Sequence, residues 1–305
     1  MGILKHHLDI LFSEAGKDNF VSGKKVLCLG QQAVYLKLDE VYKLAKHHKE
    51  LLLSDLPKDF DTKNKIPSWN GTKSENNTNV QTIFKLLGAS KVSIADISEY
   101  ENPDFLINLN DPIESSLANK FDVIFDCGTL EHIFDTPTAL WNLVTMLKTD
   151  GVLYLAVPAS NAIDHGFYSF SPGLFFDYFS ANGFEVLGCY LKEGSPLFYK
   201  KKGNLYKYNE IGNEIPILSS ASIETIAIVK KLHSKELVTK PIQNVYIKKS
   251  SKTASKVSTF KKKIMGYAFV ILALIQNILP KQLEIIIVKY RNKIGKNNIT
   301  FIKKI

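Results

Sequence analysis

The sequence is poor in arginine: of its 39 basic residues, all except Arg291 are lysines. Lysine supplies charge without the planar, bidentate geometry that arginine uses to read phosphates and bases. The charge is also unevenly distributed, because residues 230–305 contain 18 basic and only 2 acidic residues. Nucleic-acid binding is therefore the least favoured explanation of the net charge of +9.

Cysteine is scarce as well. The three cysteines, Cys28, Cys127 and Cys189, are odd in number and lie in or beside apolar runs, which favours reduced core thiols of a cytoplasmic protein over a disulfide framework. The start of the chain lacks the order of basic, apolar and small-residue regions that marks a secretory signal. A composition of 45% hydrophobic and 23% charged residues predicts a folded globular protein.

No apolar run is long enough to indicate a complete membrane span. The longest covers residues 265–279, and as a helix starting at Ile264 it would extend about 24 Å, short of the ~30 Å hydrocarbon core. Lysines at 261–263 and Lys281 flank it, so segment 261–305 fits a helix lying on an anionic membrane surface. A helix buried against the domain or against a second subunit explains the same pattern equally well.

Short apolar runs alternate with helical patterns through residues 1–232, which predicts one α/β domain with a doubly wound, mostly parallel seven-stranded sheet. The expected strands are 25–29, 91–95, 105–107, 121–127, 151–158, 184–191 and 224–232. The expected helices are 39–49, 78–87, 131–148 with its main part starting near Pro137, and 172–182. An inserted helix and polar loop occupy about 39–77. Residues 233–305 form a lysine-rich linker and a basic, apolar helical appendage.

Ligands of parallel sheets bind beyond the carboxyl ends of the strands, so the residues that follow each strand are the candidate site. They are Gly30, Gln31 and Gln32 after the first strand, Asp96 and Ile97 after the second, Asn108 and Leu109 after the third, and Cys127 and Gly128 after the fourth. An acid at the end of the second strand typically holds ribose, because one carboxylate accepts hydrogen bonds from both hydroxyls. An exposed strand-end aspartate without a ligand is the alternative for Asp96.

Two histidines are candidate proton acceptors. His132 follows the fourth strand and His165 the fifth, so both are expected at the same edge of the sheet, where an imidazole can take a proton near neutral pH. A structural histidine bonded to nearby backbone is the alternative for His132. Glu131 beside His132 could indicate a metal pair, but adjacent residues on a helix rarely face one site, so no metal is expected.

Residues 121–159, FDVIFDCGTLEHIFDTPTALWNLVTMLKTDGVLYLAVPA, resemble class I S-adenosylmethionine-dependent methyltransferases, whose pattern is an apolar strand, LEH, a helix, LKPGG and another apolar strand. The stretches IADISEYENPDFLINLNDPI and DHGFYSFSPGLFFDYFSANGFEV are similar to a bacterial subgroup with an HGFYxFSP motif. That subgroup carries LGxQ in place of GxGxG. The resemblance covers about residues 24–192. The corresponding LGQQAVYL keeps only Gly30 of the usual glycines.

The resemblance implies a cofactor, S-adenosylmethionine, and a role for each edge residue. It implies Gly30 near the methionine portion, with Gln31 or Gln32 adding side-chain contacts; Asp96 on the ribose; Ile97 against adenine; Asn108 and Leu109 at the adenine edge; and Cys127 with Gly128 under the sulfonium. It further implies an acceptor that is a small molecule or a sugar of a surface glycan, with His132 or His165 as a general base.

Two other functions remain open. A degenerate methyltransferase fold that binds no cofactor and serves as a scaffold would explain the loss of glycines after the first strand. A dinucleotide-dependent oxidoreductase needs a glycine fingerprint that this chain lacks, and it does not explain LEH or HGFYSFSP.

Overall fold

The computed structural model describes residues 2–63, 77–194, 203–209, 219, 221–244, 246–247 and 299–304. Within these residues the helices are α1 (Lys5–Asp18), α2 (Leu38–Ala45), α3 (Val80–Leu86), α4 (Thr136–Met146) and α5 (Pro172–Ala181). The strands are β1 (Lys25–Leu29), β2 (Lys91–Asp96), β3 (Phe105–Leu106), β4 (Phe121–Cys127), β5 (Leu147–Ser160), β6 (Phe184–Glu193), β7 (Asn204–Tyr208), β8 (Ile223–Lys231) and β9 (Ile299–Lys304). All of these strands belong to one sheet.

The sheet is mostly parallel, and its strand order is β3-β2-β1-β4-β5-β8-β6-β7-β9. The first five strands in this order, from β3 through β2, β1 and β4 to β5, pair in parallel. Strand β8 runs antiparallel to both of its neighbours, β5 and β6. Because the chain starts at β1 in the middle and turns outward in both directions, the carboxyl ends of β1 and β4 lie side by side where the order reverses. The predicted α/β, doubly wound fold is confirmed.

Helices cover both faces of the sheet. One core layer packs α1, α2 and α3 against alternate strand residues such as Val26 and Cys28, and the other packs α4 and α5 against Leu27 and Leu29. The period-2 alternation of a strand puts neighbouring side chains on opposite faces, so a strand covered on both sides must be apolar throughout. This is why β1 appears in the sequence as an unbroken apolar run.

Local capping explains several helix bounds. The Asn79 side chain accepts a hydrogen bond of 2.8 Å from the Thr82 N–H at the start of α3, and Pro137 stands in the first turn of α4. At the other end of α4, the buried Lys231 ammonium donates to the carbonyls of Val144 (2.8 Å) and Leu147 (2.6 Å). Those carbonyls would otherwise be unpaired at the helix end.

The structure differs from the predicted elements in five places. Strand β5 begins at Leu147, inside the helix that was expected to continue to residue 148, and not at residue 151. Helix α1 was not predicted at all, and α2 ends at Ala45 rather than Lys49. The predicted helix from residue 131 is interrupted, because Leu130–His132 form a separate 3-10 turn before α4 begins at Thr136. The described sheet has nine strands instead of seven, since β7 and β9 also pair with it.

The tail prediction is only partly within the described residues. Strand β9, which the sequence assigned to the appendage, pairs antiparallel with β7 at the edge of the sheet. The expected helix at 264–279 and its flanking lysines lie outside the described residues, so the surface or buried placement of that segment stays a prediction. Among the residues described, no helix has the length and apolar character needed to cross a membrane.

Candidate functional site

The loop after β1 brings three strand ends together. Gly30 has a φ of +73°, which L side chains rarely adopt, and its N–H donates to the Ala95 carbonyl at 2.7 Å. A methyl group in place of its hydrogen would lie 3.7 Å from Asp96 Oδ2 and 3.9 Å from Thr129 Oγ1. Gly30 therefore leaves open the space between the ends of β2 and β4, where a ligand can approach the backbone.

The two glutamines after Gly30 have different partners. The Gln31 amide exchanges two hydrogen bonds with the Gln81 amide on α3, at 3.0 and 2.8 Å. Gln32 is buried, and its Nε2 donates to the Leu29 carbonyl at 2.9 Å. Its Oε1 has no hydrogen-bond partner among the described residues. Gln32 Oε1 is therefore the atom of these two side chains that is available to accept a hydrogen bond from a ligand.

Asp96 lies half-buried at the end of β2, as the sequence predicts. Its Oδ1 accepts from the Ser98 N–H at 2.9 Å, and its Oδ2 faces Gly30. A second acid, Glu101, was not singled out from the sequence. Burial raises the pKa of the Glu101 carboxyl, the negative charge of Asp96 raises it further, and the Gln31 backbone N–H partly offsets both effects. Two carboxyl groups therefore lie close together at the end of β2.

Apolar side chains stand exposed next to Asp96. Ile97 is 69% exposed and Leu106, the register partner of Asp96 on β3, is 55% exposed. Exposed apolar side chains of this size at the mouth of a site cost solvation free energy unless a ligand covers them. Their position beside an acid suits a flat, apolar ring attached to ribose.

The residues after β3 are already engaged in their own turn. Asn108 is exposed, its Nδ2 donates to Asp111 Oδ2 at 2.6 Å, and its Oδ1 accepts from the Asn110 N–H at 3.1 Å. Leu109 is buried in the core, and its carbonyl accepts from Asn142 Nδ2 at 3.1 Å. An adenine contact by Asn108 would have to share an oxygen that the turn already uses.

The turn after β4 is held by a buried carboxylate. Asp126 accepts from the N–H groups of Thr129 (2.9 Å) and Leu130 (3.2 Å), and burial raises its pKa to about 6 although these bonds pull it down. Cys127 is fully buried, with its Sγ 3.5 Å from His7 Nδ1 on α1. Gly128 has a φ of +100° and is half-buried. Backbone at Gly128, rather than the Cys127 side chain, is available to line the edge.

The two predicted histidines lie next to each other, beside the buried carboxyl group of Glu131. His132 and His165 have ring centroids 5.4 Å apart, and their Nε2 atoms are 3.8 and 3.4 Å from Glu131 Oε1. Gly166 lets the loop that carries His165 pack closely against the turn that carries Glu131, since a methyl group on Gly166 would lie 2.8 Å from the Glu131 carbonyl oxygen. We call Glu131, His132 and His165 the edge cluster.

The charge states in the edge cluster follow from burial. Burial lowers the pKa of both His132 and His165, so both rings are neutral at pH 7. The Glu131 side chain is inaccessible to solvent, and neither of its carboxylate oxygens has a hydrogen-bond partner among the described residues. Burial, followed by the nearby charge of Asp126, raises the pKa of Glu131 to about 8. From the sequence, Glu131 was considered only as one of two possible metal ligands, together with His132.

Replacing Glu131 with glutamine should remove a pH-dependent loss of stability. The unfolded carboxyl releases its proton near pH 4.5, whereas the folded one keeps it up to about pH 8, so the wild-type free energy of unfolding contains a term that falls as pH rises between these values. Glutamine does not titrate. We expect Glu131→Gln to gain stability relative to the wild type across this range, measured by urea unfolding at successive pH values.

The matched control is Glu99→Gln, which removes a carboxyl group from an exposed position near the same edge. Its free energy of unfolding should follow that of the wild type at every pH. A difference between Glu131→Gln and the wild type that does not change with pH would contradict the raised pKa of Glu131.

No protein-family model matches the sequence. A search of curated proteins likewise returns no match. Solved structures do resemble the fold at low identity. One is the 1,6-didemethyltoxoflavin-N1-methyltransferase of Burkholderia thailandensis, determined with 1,6-didemethyltoxoflavin and S-adenosylhomocysteine; it has a TM-score of 0.38 and 12% identity, over 74% of this chain and 79% of that one.

Two further structures show likeness of the same degree. The N-methyltransferase NodS of Bradyrhizobium japonicum WM9, in complex with S-adenosylhomocysteine, has a TM-score of 0.39 and 10% identity over 75% of this chain and 87% of that one. The branched-chain polyamine synthase of Thermus thermophilus has a TM-score of 0.38 and 13% identity over 80% of this chain and 60% of that one. The strand order and strand directions, and not these similarities, establish that the chain has a doubly wound α/β fold.

Proposed function

We propose that this protein is a methyltransferase that uses S-adenosylmethionine. The observation that carries the proposal is the meeting of three features at the point where the strand order reverses. These features are the open backbone at Gly30, the carboxylate of Asp96 beside exposed Ile97 and Leu106, and the edge cluster after β4. The motifs LEH and HGFYSFSP, on which the family resemblance rests, supply the histidines and glutamate of that cluster.

The residues at the ends of β1, β2 and β3 fit the cofactor. Asp96 can accept hydrogen bonds from the ribose hydroxyls through Oδ2, while Oδ1 also holds the Ser98 N–H. Ile97 and Leu106 offer the apolar surface that adenine would cover. Gly30 lets the amino-acid portion approach the backbone without a Cβ in the way. When bound, the cofactor supplies a methyl group on a sulfonium, whose sulfur is already an activated leaving group.

The residues of the edge cluster would bind the acceptor and remove its proton. An acceptor oxygen or nitrogen that gains a methyl group must lose a proton, and neutral His132 or His165 can take it at Nε2. Both rings are partly exposed, with 48% and 37% of the side-chain surface accessible, so a bound acceptor can reach them. The Nε2 atoms of both rings lie within 4 Å of the same buried oxygen, Glu131 Oε1, so the two rings are close enough to serve one acceptor. The chain mainly aligns the reacting atoms, which is the larger part of catalysis for such a displacement.

The acceptor proposed is a small molecule or a sugar, by analogy with the resembled family. The rival proposal is a scaffold protein of the same fold that binds no cofactor. It is favoured by the single glycine after β1 and by the engagement of Gln31 and Asn108 with neighbouring side chains.

Calorimetric titration of the full chain decides between the two. We expect S-adenosylmethionine and S-adenosylhomocysteine to bind in the micromolar range, and ATP, which shares adenine and ribose but has no methionine portion, to bind much more weakly. Failure of folded protein to bind either methionine-containing ligand would overturn the methyltransferase proposal and favour the scaffold. If both bind, transfer of a labelled methyl group to candidate acceptors is the next measurement.

A further inference from the structure

A second group of titratable side chains lies buried where α1 meets β8. His6 and His7 stand in the first turn of α1, and Glu224 is the second residue of β8. The exposed fractions are 6%, 0% and 7% of the residue surface. Methyl transfer, as proposed above, uses none of the three. We call His6, His7 and Glu224 the buried cluster.

Three potential ligand atoms in the buried cluster converge on one point. The Nε2 atoms of His6 and His7 are 2.9 Å apart, and they lie 3.0 and 3.3 Å from Glu224 Oε2. A divalent ion bound to nitrogen and oxygen at about 2.0–2.2 Å separates its ligand atoms by about 2.9 Å at right angles and about 3.3 Å in a tetrahedron. The spacing of the three atoms in the observed triangle is the spacing that such an ion requires.

Protons alone do not satisfy this triangle. The Leu4 N–H donates to His7 Nδ1 at 3.0 Å, so a neutral His7 carries its proton on Nε2. If His6 Nε2 is also protonated, two N–H groups oppose each other at 2.9 Å. If it is not, its lone pair opposes the Glu224 oxygen at 3.0 Å. With neutral rings and an ionised Glu224, at least one of the three close contacts is therefore repulsive.

The charge states suit a cation. Burial lowers the pKa of His6 to about 3, and the nearby His7 lowers it too, so the His6 ring is neutral. Burial by itself would raise the pKa of Glu224, but His7, His6 and Lys192 together hold it well below its usual range. Metal ligands must be deprotonated, so an ion bound here would compete with protons for these atoms.

We propose that His6, His7 and Glu224 bind one zinc ion, or a similar first-row divalent ion, which fastens α1 to β8. Imidazole and carboxylate ligands suit these metals, and a water molecule would complete the coordination. Binding through His7 Nε2 moves the ring proton to Nδ1, which then donates a hydrogen bond to Cys127 Sγ at 3.5 Å. Nδ1 can then no longer accept from the Leu4 N–H, so that hydrogen bond at the start of α1 is lost.

Lys192 provides a sharp test of this site. Its ammonium lies 3.7 Å from the same Glu224 Oε2 that would bind the ion, so its charge opposes binding. Lys192→Met removes that charge and is expected to raise zinc affinity. In a cluster held only by hydrogen bonds and charge, the same change would remove a partner of Glu224 and create no affinity for metal.

The experiment uses the full chain, stripped with EDTA and titrated calorimetrically with zinc, with cobalt as a probe of coordination through its visible absorption. We expect one zinc per chain, and at least about tenfold weaker binding in Glu224→Gln. His47→Ala, in the other adjacent histidine pair of the chain, and His165→Ala, in the edge cluster, should bind zinc like the wild type.

Three results would overturn the proposal. The first is no zinc binding by the folded, stripped wild type. The second is binding that is lost in His165→Ala and kept in Glu224→Gln, because the ion would then belong to the edge cluster. The third is unchanged or weaker binding in folded Lys192→Met, and this readout stands even if Glu224→Gln does not fold. None of these measurements depends on methyl transfer.

Discussion

Asp96→Asn should weaken S-adenosylmethionine binding by about tenfold or more, which corresponds to about 1.4 kcal/mol or more. The ribose of the cofactor presents two hydroxyl donors, and a carboxylate offers acceptor atoms to both, whereas an amide replaces one acceptor with a donor. Asparagine is preferred to alanine, because its Oδ1 can still accept from the Ser98 N–H and keep the turn after β2 intact. Calorimetric titration measures the change in affinity.

Glu99→Gln is the matched control for this experiment. It removes the same charge from an exposed residue of the adjacent 3-10 turn, so it reports the effect of net charge at this edge without touching the ribose position. Its affinity should stay close to that of the wild type. Equal affinities in the wild type, Asp96→Asn and Glu99→Gln would show that Asp96 does not bind the ribose, even if the cofactor binds elsewhere.

Phe125→Ala should reduce the free energy of unfolding by about 3–5 kcal/mol. The ring is 1% exposed and packs edge-on against Phe84 of α3, with centroids 5.2 Å apart, and it stacks on Tyr154 of β5 at 4.8 Å. Removing it leaves a cavity that joins α3, β4 and β5, and the strands on either side cannot close it without breaking their ladders. Urea unfolding, extrapolated to water, measures the loss.

Phe134→Ala separates this packing effect from the loss of any aromatic ring. Phe134 is 70% exposed and contacts Phe167 edge-on at a centroid distance of 5.9 Å. Substitution at such a surface position is expected to change the free energy of unfolding by no more than about 0.5 kcal/mol. Similar losses in the two variants would contradict the placement of Phe125 at the centre of the core.

Strands of the central sheet could be predicted closely from the sequence. The bounds expected for β1 and β4, residues 25–29 and 121–127, are those observed. Both strands are buried on two faces, so apolar residues follow one another without a break and polar residues begin where the strand ends. The proline near the start of α4 was an equally local signal, and it is confirmed, because Pro137 lies in the first turn of that helix.

Three elements were not predicted, for two different reasons. Helix α1 did carry a signal that was missed, since Leu8, Leu11, Phe12 and Ala15 recur at helical spacing and are all buried. Strands β7 and β9 are different. They are short, β7 has two adjacent buried residues instead of an alternating pattern, and β9 comes from a distant part of the chain, so only pairing at the sheet edge defines them.

The sequence by itself determined the fold class, because the class follows from the order of the apolar runs. It also predicted the edge at which a ligand would bind, from the residues that end those runs. Only the tertiary structure decided which side chains are available there. It engages Gln31 with α3 and Asn108 with its own turn, and it turns Cys127 towards α1. It also brings Glu131 to His165, and His6 to Glu224, 218 positions away. Such contacts depend on the packing of distant segments, which local spacing does not encode.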